Sequence, residues 1–144
     1  MKSKLMTSIL LVPLAITSMV LSAAEDLIII TAMDNTEQIK LEDVSRIFLG
    51  KATRFPSGEI VVPLNLHPSD PIYAEFARVV LKKTESQLRA YWAKQVFTGK
   101  RRPPRVISST KELQQMIASD KQYLSYVGKS KVSRDVRRVI EVSR

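Results

Sequence analysis

Five short runs of apolar residues recur along the chain after residue 26. Such runs, bounded by turn residues, are typical of β-strands, and a run without polar interruptions indicates burial on both faces of a sheet. The predicted strands are Leu27–Ile30, Ile60–Leu64, Val106–Ile107, Tyr123–Val127 and Val136–Val142. The first of these is apolar throughout, so we expect it to be buried on both faces.

Between these runs, apolar residues recur every three or four positions, which predicts four amphipathic helices. Their predicted buried residues include Phe48, Phe76, Trp92, Val96 and Leu113. Thr84–Gln87 and Ser109–Glu112 match the capping box that begins a helix, so they should start the third and fourth helices. Strands that alternate with helices predict an α/β fold, in which helices flank a mostly parallel central sheet.

The first 24 residues have a different pattern. Lys2 and Lys4 precede an apolar stretch at 5–21, and Ser22-Ala23-Ala24 then supplies small residues. This order predicts a Sec-type signal peptide, residues 1–24, cleaved near Ala24. The product, residues 25–144, would be periplasmic or secreted and would form one domain. An uncleaved membrane anchor is the alternative interpretation.

Composition removes several kinds of chemistry. The chain has 144 residues, no cysteine and a single histidine, His67. Cysteine nucleophiles, zinc fingers and iron–sulfur sites are excluded, and one histidine leaves little room for a hydrolase triad. We therefore predict a protein that is not an enzyme, with no catalytic residue, no metal site and no cofactor.

The chain is also basic. Without Lys2 and Lys4, it has 21 lysines and arginines against 14 acidic residues, a net charge of +7. This balance favours anionic partners, although a soluble surface of arbitrary sign is the alternative. Arg101, Arg102 and Arg105 form the densest cluster, in a loop that suits phosphate groups or a membrane surface, or is simply solvated. No aromatic residues interleave with these arginines, so we expect no nucleic-acid partner.

Three stretches of the chain carry a family resemblance. They are the Ile47–Phe55 segment with Ser57-Gly58-Glu59 and Val61-Val62-Pro63 after it, Tyr91-Trp92 with Phe97-Thr98-Gly99 and Pro103-Pro104, and Tyr126-Val127-Gly128. Their order and spacing resemble the phosphate-binding proteins of ABC transporters, the PstS-like branch of the type 2 periplasmic binding fold. Full-length members have two lobes and hold the oxyanion between them. The resemblance covers residues 27–142 and implies a single lobe of that fold.

The resemblance also implies a ligand site. Members that bind phosphate carry Arg-x-x-x-Ser-Gly-Thr before the helix that follows the second strand, and residues 65–71 here are Asn-Leu-His-Pro-Ser-Asp-Pro. Ser69 is retained, but Pro71 lacks an N–H and the Asp70 carboxylate would repel an oxyanion. Helix capping by Ser69 or Asp70 is the competing interpretation. The candidate ligand-binding residues are Asn65, Ser69, Asp70, Arg101, Arg102 and Arg105.

These observations support one leading hypothesis about function. The chain would be an exported substrate-binding-protein-like module that binds an oxyanion or a partner protein, with weak or lost phosphate affinity. An envelope transporter or a sensor protein would then complete the open cleft. Two alternatives remain: a working phosphate or oxyanion binder that uses Asn65, Ser69 and the arginine loop, and a polyanion- or membrane-surface-binding accessory protein driven by basic charge.

Overall fold

A computed structural model describes residues 25–143, so the predicted signal peptide lies outside the described residues. The strands are β1 (Leu27–Ala32), β2 (Val62–Leu66), β3 (Arg105–Ile107), β4 (Tyr123–Gly128) and β5 (Val136–Val142). The helices are α1 (Leu41–Phe48), α2 (Pro71–Val79), α3 (Glu85–Phe97) and α4 (Thr110–Ser119), and a 3₁₀ turn spans Lys129–Lys131. Within this part of the chain no helix is long and apolar enough to cross a membrane.

The five described strands form one sheet in the order β3-β2-β4-β1-β5. β2 is parallel to β3 and β4, whereas β1 is antiparallel to both of its neighbours, β4 and β5. Four of these five strands therefore run in the same direction. The predicted α/β class and mostly parallel sheet are confirmed, with β1 as the exception. Its direction was not predictable, because a strand buried on both faces has the same apolar pattern in either direction.

The hydrophobic core lies on both sides of β1 and β4. The burial predicted for Leu27–Ile30 from its uninterrupted apolar pattern is confirmed, and β1 continues through Thr31 and Ala32, which are buried as well. Under α2, the Phe76 ring stacks on Tyr126 with ring centroids 3.7 Å apart, and Phe48 meets Phe76 edge-on at 4.7 Å. The predicted burial of Phe48 and Phe76 is therefore confirmed. These three aromatic side chains pack α1 and α2 against β4.

The predicted bounds of β2 are wrong by two residues. The strand was expected over Ile60–Leu64, but sheet pairing begins where Val62 aligns with Tyr123 and continues to Leu66. Ile60 is 46% exposed and forms only an isolated bridge with Arg54. An apolar run shows which residues avoid water, but it does not show where pairing with a distant strand begins. The shift places Asn65 inside the sheet rather than in the following loop.

The predicted buried side of α3 is partly wrong. Leu88 is buried and Trp92 is half-buried, but Val96 is 55% exposed, and Gln95 is buried in its place. Eight residues advance an α-helix by about 80° beyond complete turns, whereas seven residues return almost to the starting line. Gln95, seven residues after Leu88, therefore lies on the buried side, and Val96 lies away from it.

Candidate functional site

Two helix amino termini meet at one edge of the sheet. α2 begins just after β2 ends, and α4 begins just after β3 ends. Since β2 and β3 are parallel neighbours, their carboxyl ends lie at the same edge. Unpaired N–H groups and the helix dipole make each amino terminus favourable for negative charge. This edge therefore favours a negatively charged group.

The carboxylate of Asp70 already lies between these two helix ends. Its Oδ1 accepts a hydrogen bond from the Ile72 N–H at 3.0 Å, which caps α2. Its Oδ2 lies 3.5 Å from the Thr110 hydroxyl at the start of α4 and 3.7 Å from the Lys131 ammonium group. The helix-capping interpretation of Asp70 is thus confirmed. Asp70 supplies this edge with an anion that belongs to the chain itself.

Ser69 is engaged within its own loop. Its hydroxyl lies 2.7 Å from Nδ1 of His67, and the same ring nitrogen accepts the Ser69 N–H at 3.1 Å. The Asp70 N–H donates to the His67 carbonyl, which closes the turn before α2. Both side chains are exposed, so an incoming oxyanion would compete with His67 for the Ser69 hydroxyl.

Asn65 is buried beneath the edge, because β2 extends farther than its apolar run indicates. Its Oδ1 accepts a hydrogen bond from the Tyr126 hydroxyl at 2.5 Å. Burial raises the pKa of Tyr126 well above its ordinary value, and Tyr73 and Asp70 raise it further. The phenol therefore stays protonated and remains a donor. Asn65 stands where the family resemblance places an arginine, and in this structure it ties β2 to β4.

The arginine loop lies at the other edge of the sheet. Arg105 aligns with Leu64 in the parallel pair of β2 and β3, and the loop precedes β3. Arg102 and Arg105 line an open groove of about 260 Å³ at the start of β2, and Arg101 donates to Gln95 Oε1 at 3.0 Å. Ser69 and Asp70, in contrast, follow the end of β2. The structure therefore does not bring the six candidate residues into one site.

Sequence reasoning missed a groove beside Asp70. Lys111, Gln114, Lys131 and Asp135 are among the residues that line this groove, which has a volume of about 550 Å³. The buried Gln114 shapes it: its Nε2 donates to the Lys131 carbonyl at 2.9 Å, and its Oε1 accepts the Ser133 N–H at 2.6 Å. These residues are distant in the chain, so no local motif could have indicated them. Over residues 25–143, no cluster of His, Cys, Asp or Glu is arranged to hold a metal ion.

No family model and no curated protein matches the chain. Solved structures do match. An ABC-type phosphate transport receptor from Vibrio cholerae is 13% identical, with a TM-score of 0.64 over 80% of this chain and 45% of the receptor. A Clostridium perfringens protein, assigned as a phosphate ABC transporter substrate-binding protein and solved with bound phosphate, is 16% identical, with a TM-score of 0.62 over 80% of this chain and 44% of its own.

The fold is that of one lobe of a phosphate-binding protein. PstS from Borrelia burgdorferi also matches, with 16% identity and a TM-score of 0.54 over 73% of this chain and 41% of PstS. The chain thus spans less than half the length of these phosphate-binding proteins. The resemblance drawn from the motifs is confirmed at the level of the fold.

Proposed function

We propose that this chain is a non-enzymatic binding module of the phosphate-binding-protein type whose own phosphate affinity is weak. The position of the Asp70 carboxylate carries this proposal. It accepts from the α2 amino terminus at 3.0 Å and lies within 4 Å of both Thr110 and Lys131. These are the groups that would otherwise favour an oxyanion, and the charge of Asp70 repels one.

Two further features lower the expected phosphate affinity. Pro71, the first residue of α2, has no N–H to donate, and the buried Asn65 supplies no cation. A hydrogen bond to a charged group contributes about 1.5–3 kcal/mol, so two missing bonds weaken binding about a hundredfold or more. The arginines of the 100–105 loop do not compensate, because they lie at the opposite edge of the sheet.

The open geometry of the site favours completion by a second protein. The groove beside Asp70 opens to solvent and has charged residues of both signs, Lys111, Lys131 and Asp135. We propose that a partner in the cell envelope, such as a transporter subunit or a sensor protein, supplies the opposite wall. This requires export, for which we expect a mature amino terminus at or near Glu25. The intact mass of the protein in a periplasmic extract measures this, and an unprocessed Met1 would contradict it.

Calorimetric titration with phosphate and sulfate tests the role of Asp70. We expect millimolar or weaker phosphate binding to the unmodified protein. Asp70→Asn keeps an oxygen that can cap α2 but removes the charge, so phosphate affinity should rise about tenfold or more. Asp135→Asn is the matched control, because it removes the same charge from the neighbouring groove and should change affinity much less.

Two outcomes would contradict this proposal. Submicromolar phosphate binding by the unmodified protein would show that Asp70 does not block the site. An Asp70→Asn affinity equal to that of the Asp135→Asn control would show that the open geometry, rather than the carboxylate, limits binding.

A further inference from the structure

The net charge of residues 25–144 is concentrated in one stretch. Residues 86–111 contain seven basic residues and no acidic residue, whereas the remainder of 25–144 has 14 of each. The whole net charge of +7 therefore resides in this stretch. The seven residues are Arg89, Lys94, Lys100, Arg101, Arg102, Arg105 and Lys111. They begin on α3, continue through the arginine loop and β3, and end at the first turn of α4.

Most of this charge is not neutralised within the fold. Lys94, Lys100, Arg102 and Arg105 are exposed, and their side chains form no ion pair or hydrogen bond with any residue of the described range 25–143. The basic residues elsewhere include several that are paired, such as Lys129 with Glu141. The field of the stretch is therefore directed into solvent, where an anionic partner can meet it.

An apolar stripe lies in the middle of this charge. The Phe97 side chain is 92% exposed at the end of α3. At 3.6 residues per turn, Ala90, Ala93 and Phe97 share the helix face opposite the buried Leu88 and Gln95. All three are exposed, and Val96 beside them is 55% exposed. Arg89 and Lys94 lie on the two sides of this stripe along the helix.

We propose that residues 89–106, which we call the basic tip, form a docking surface for a bilayer that contains anionic phospholipid. Lysines and arginines around an exposed aromatic side chain are the combination that holds proteins at a membrane interface. Each basic residue near such a surface adds to the attraction, while an apolar side chain enters the boundary between headgroups and acyl chains. The exposed Phe97 side chain would enter this boundary, and the basic residues of the same stretch would attract the anionic headgroups.

Single-stranded nucleic acid fits the basic tip less well than a membrane. Binding to single strands uses several aromatic side chains as stacking platforms. Here Tyr91 and Trp92 are half-buried and pack against each other with ring centroids 5.0 Å apart. Phe97 alone among the described aromatic side chains is exposed. One exposed ring in a basic stretch of the chain suits lipid better than a row of bases.

The basic tip and the Asp70 edge can act at the same time. The tip includes the loop before β3, at the amino ends of β2 and β3, whereas Asp70 lies beyond their carboxyl ends. A protein docked through Phe97 and Arg102 would therefore leave the Asp70 edge away from the lipid. Membrane docking does not depend on the phosphate affinity proposed above.

Vesicle sedimentation tests the proposal, with exported protein whose amino terminus has been verified by mass spectrometry. We expect binding to vesicles of phosphatidylcholine with phosphatidylglycerol, and little binding to phosphatidylcholine alone. Arg102→Gln with Arg105→Gln should weaken this binding about tenfold or more, and so should Phe97→Ser alone. Arg134→Gln with Arg138→Gln is the matched control: it removes the same charge from exposed positions outside the tip and should retain most of the binding.

Three outcomes would overturn membrane docking. Equal binding to neutral and anionic vesicles would remove the role of the cations. If the Arg134 and Arg138 control weakens vesicle binding as much as Arg102→Gln with Arg105→Gln does, only the total charge matters. The third outcome is that Phe97→Ser leaves vesicle binding unchanged, while Arg102→Gln with Arg105→Gln weakens binding to vesicles and to a single-stranded oligonucleotide equally. The tip would then be a general polyanion surface. Circular dichroism of each variant verifies that it is folded.

Discussion

Charged side chains at the two edges of the sheet differ in whether they have partners within the chain. At the carboxyl ends of β2 and β3, the Asp70 carboxylate meets a helix N–H, a hydroxyl and an ammonium group. At the amino ends, Arg102 and Arg105 have no ion-pair partner among the described residues, and Phe97 nearby is almost fully exposed. The Asp70 carboxylate is thus paired within the chain, whereas the two arginines have no acidic partner in residues 25–143.

This difference separates what stabilises the molecule from what it offers to partners. Charges that are already paired contribute to folding, but they are less available to a ligand, because the ligand must displace a partner. Unpaired exposed charges contribute little to stability and remain available. Loss of a paired charge such as Asp70 should therefore change both stability and phosphate binding, whereas loss of the unpaired arginines of the basic tip should act mainly on binding.

The largest expected difference in stability is between substitutions at two phenylalanines. Phe76 is 1% exposed and stacks on Tyr126 below the Asp70 edge, whereas Phe97 at the basic tip is 92% exposed. Phe76→Ala should lower the free energy of unfolding by about 3–5 kcal/mol, since it empties a packed site. Phe97→Ala should change it by less than about 0.5 kcal/mol. Urea denaturation measures both, and similar losses would show that Phe97 is packed in solution.

Removal of the Tyr126 hydroxyl should give the next largest loss of stability. Tyr126→Phe keeps the ring stacked on Phe76 but leaves the Asn65 Oδ1 without its donor, which should cost about 1–3 kcal/mol. Tyr123→Phe is the control, because the half-buried Tyr123 hydroxyl has no hydrogen bond with the described residues. Equal stability of the two variants in urea denaturation would mean that the buried pair contributes nothing.

Tyr126 also predicts a pH dependence. Burial raises its pKa in the folded state, so above about pH 10 the unfolded chain releases a proton that the folded chain retains. The folded state binds more protons there, and the stability of the unmodified protein should fall as the pH rises through that range. Tyr126→Phe should show a shallower fall. Parallel alkaline unfolding curves for the two proteins would contradict this assignment.

The smallest expected effect concerns the helix cap. Asp70→Ala removes the acceptor for the Ile72 N–H and should destabilise the protein by about 1 kcal/mol, whereas Asp70→Asn should cost less. Arg102→Gln at the other edge should stay within about 0.5 kcal/mol of the unmodified protein. Thermal unfolding of the three variants ranks them, and a loss for Arg102→Gln as large as that for Asp70→Ala would remove the contrast between the edges.

Local signals predicted helix starts well. The Thr84 box is present in full: its hydroxyl accepts the Gln87 N–H at 3.2 Å, and Gln87 Oε1 accepts the Thr84 N–H at 2.9 Å. Ser109 caps α4, and Asp70 caps α2. These contacts join residues two or three positions apart, so their geometry is decided before the chain makes any long-range contact.

The candidate site was only partly predictable. Ser69 and Asp70 were selected because the family resemblance places its phosphate-binding motif at residues 65–71, just before a helix whose amino terminus attracts anions. The arginines were grouped with them on the basis of charge, and the parallel pairing of β2 with β3 then placed the arginine loop at the opposite edge. Lys131 was not selected because it is 61 positions from Asp70, and only the fold brings it to 3.7 Å.

The amino-acid sequence by itself determined the α/β class, the burial of β1 and the helix caps, because apolar periodicity and capping act over a few residues. It also determined that all of the net positive charge of residues 25–144 resides in residues 86–111. The tertiary structure alone decided that β1 runs against its neighbours, that Asn65 pairs with Tyr126, and that Phe97 stays exposed. Each of these depends on which distant segment lies alongside, and that is settled only when the whole core packs.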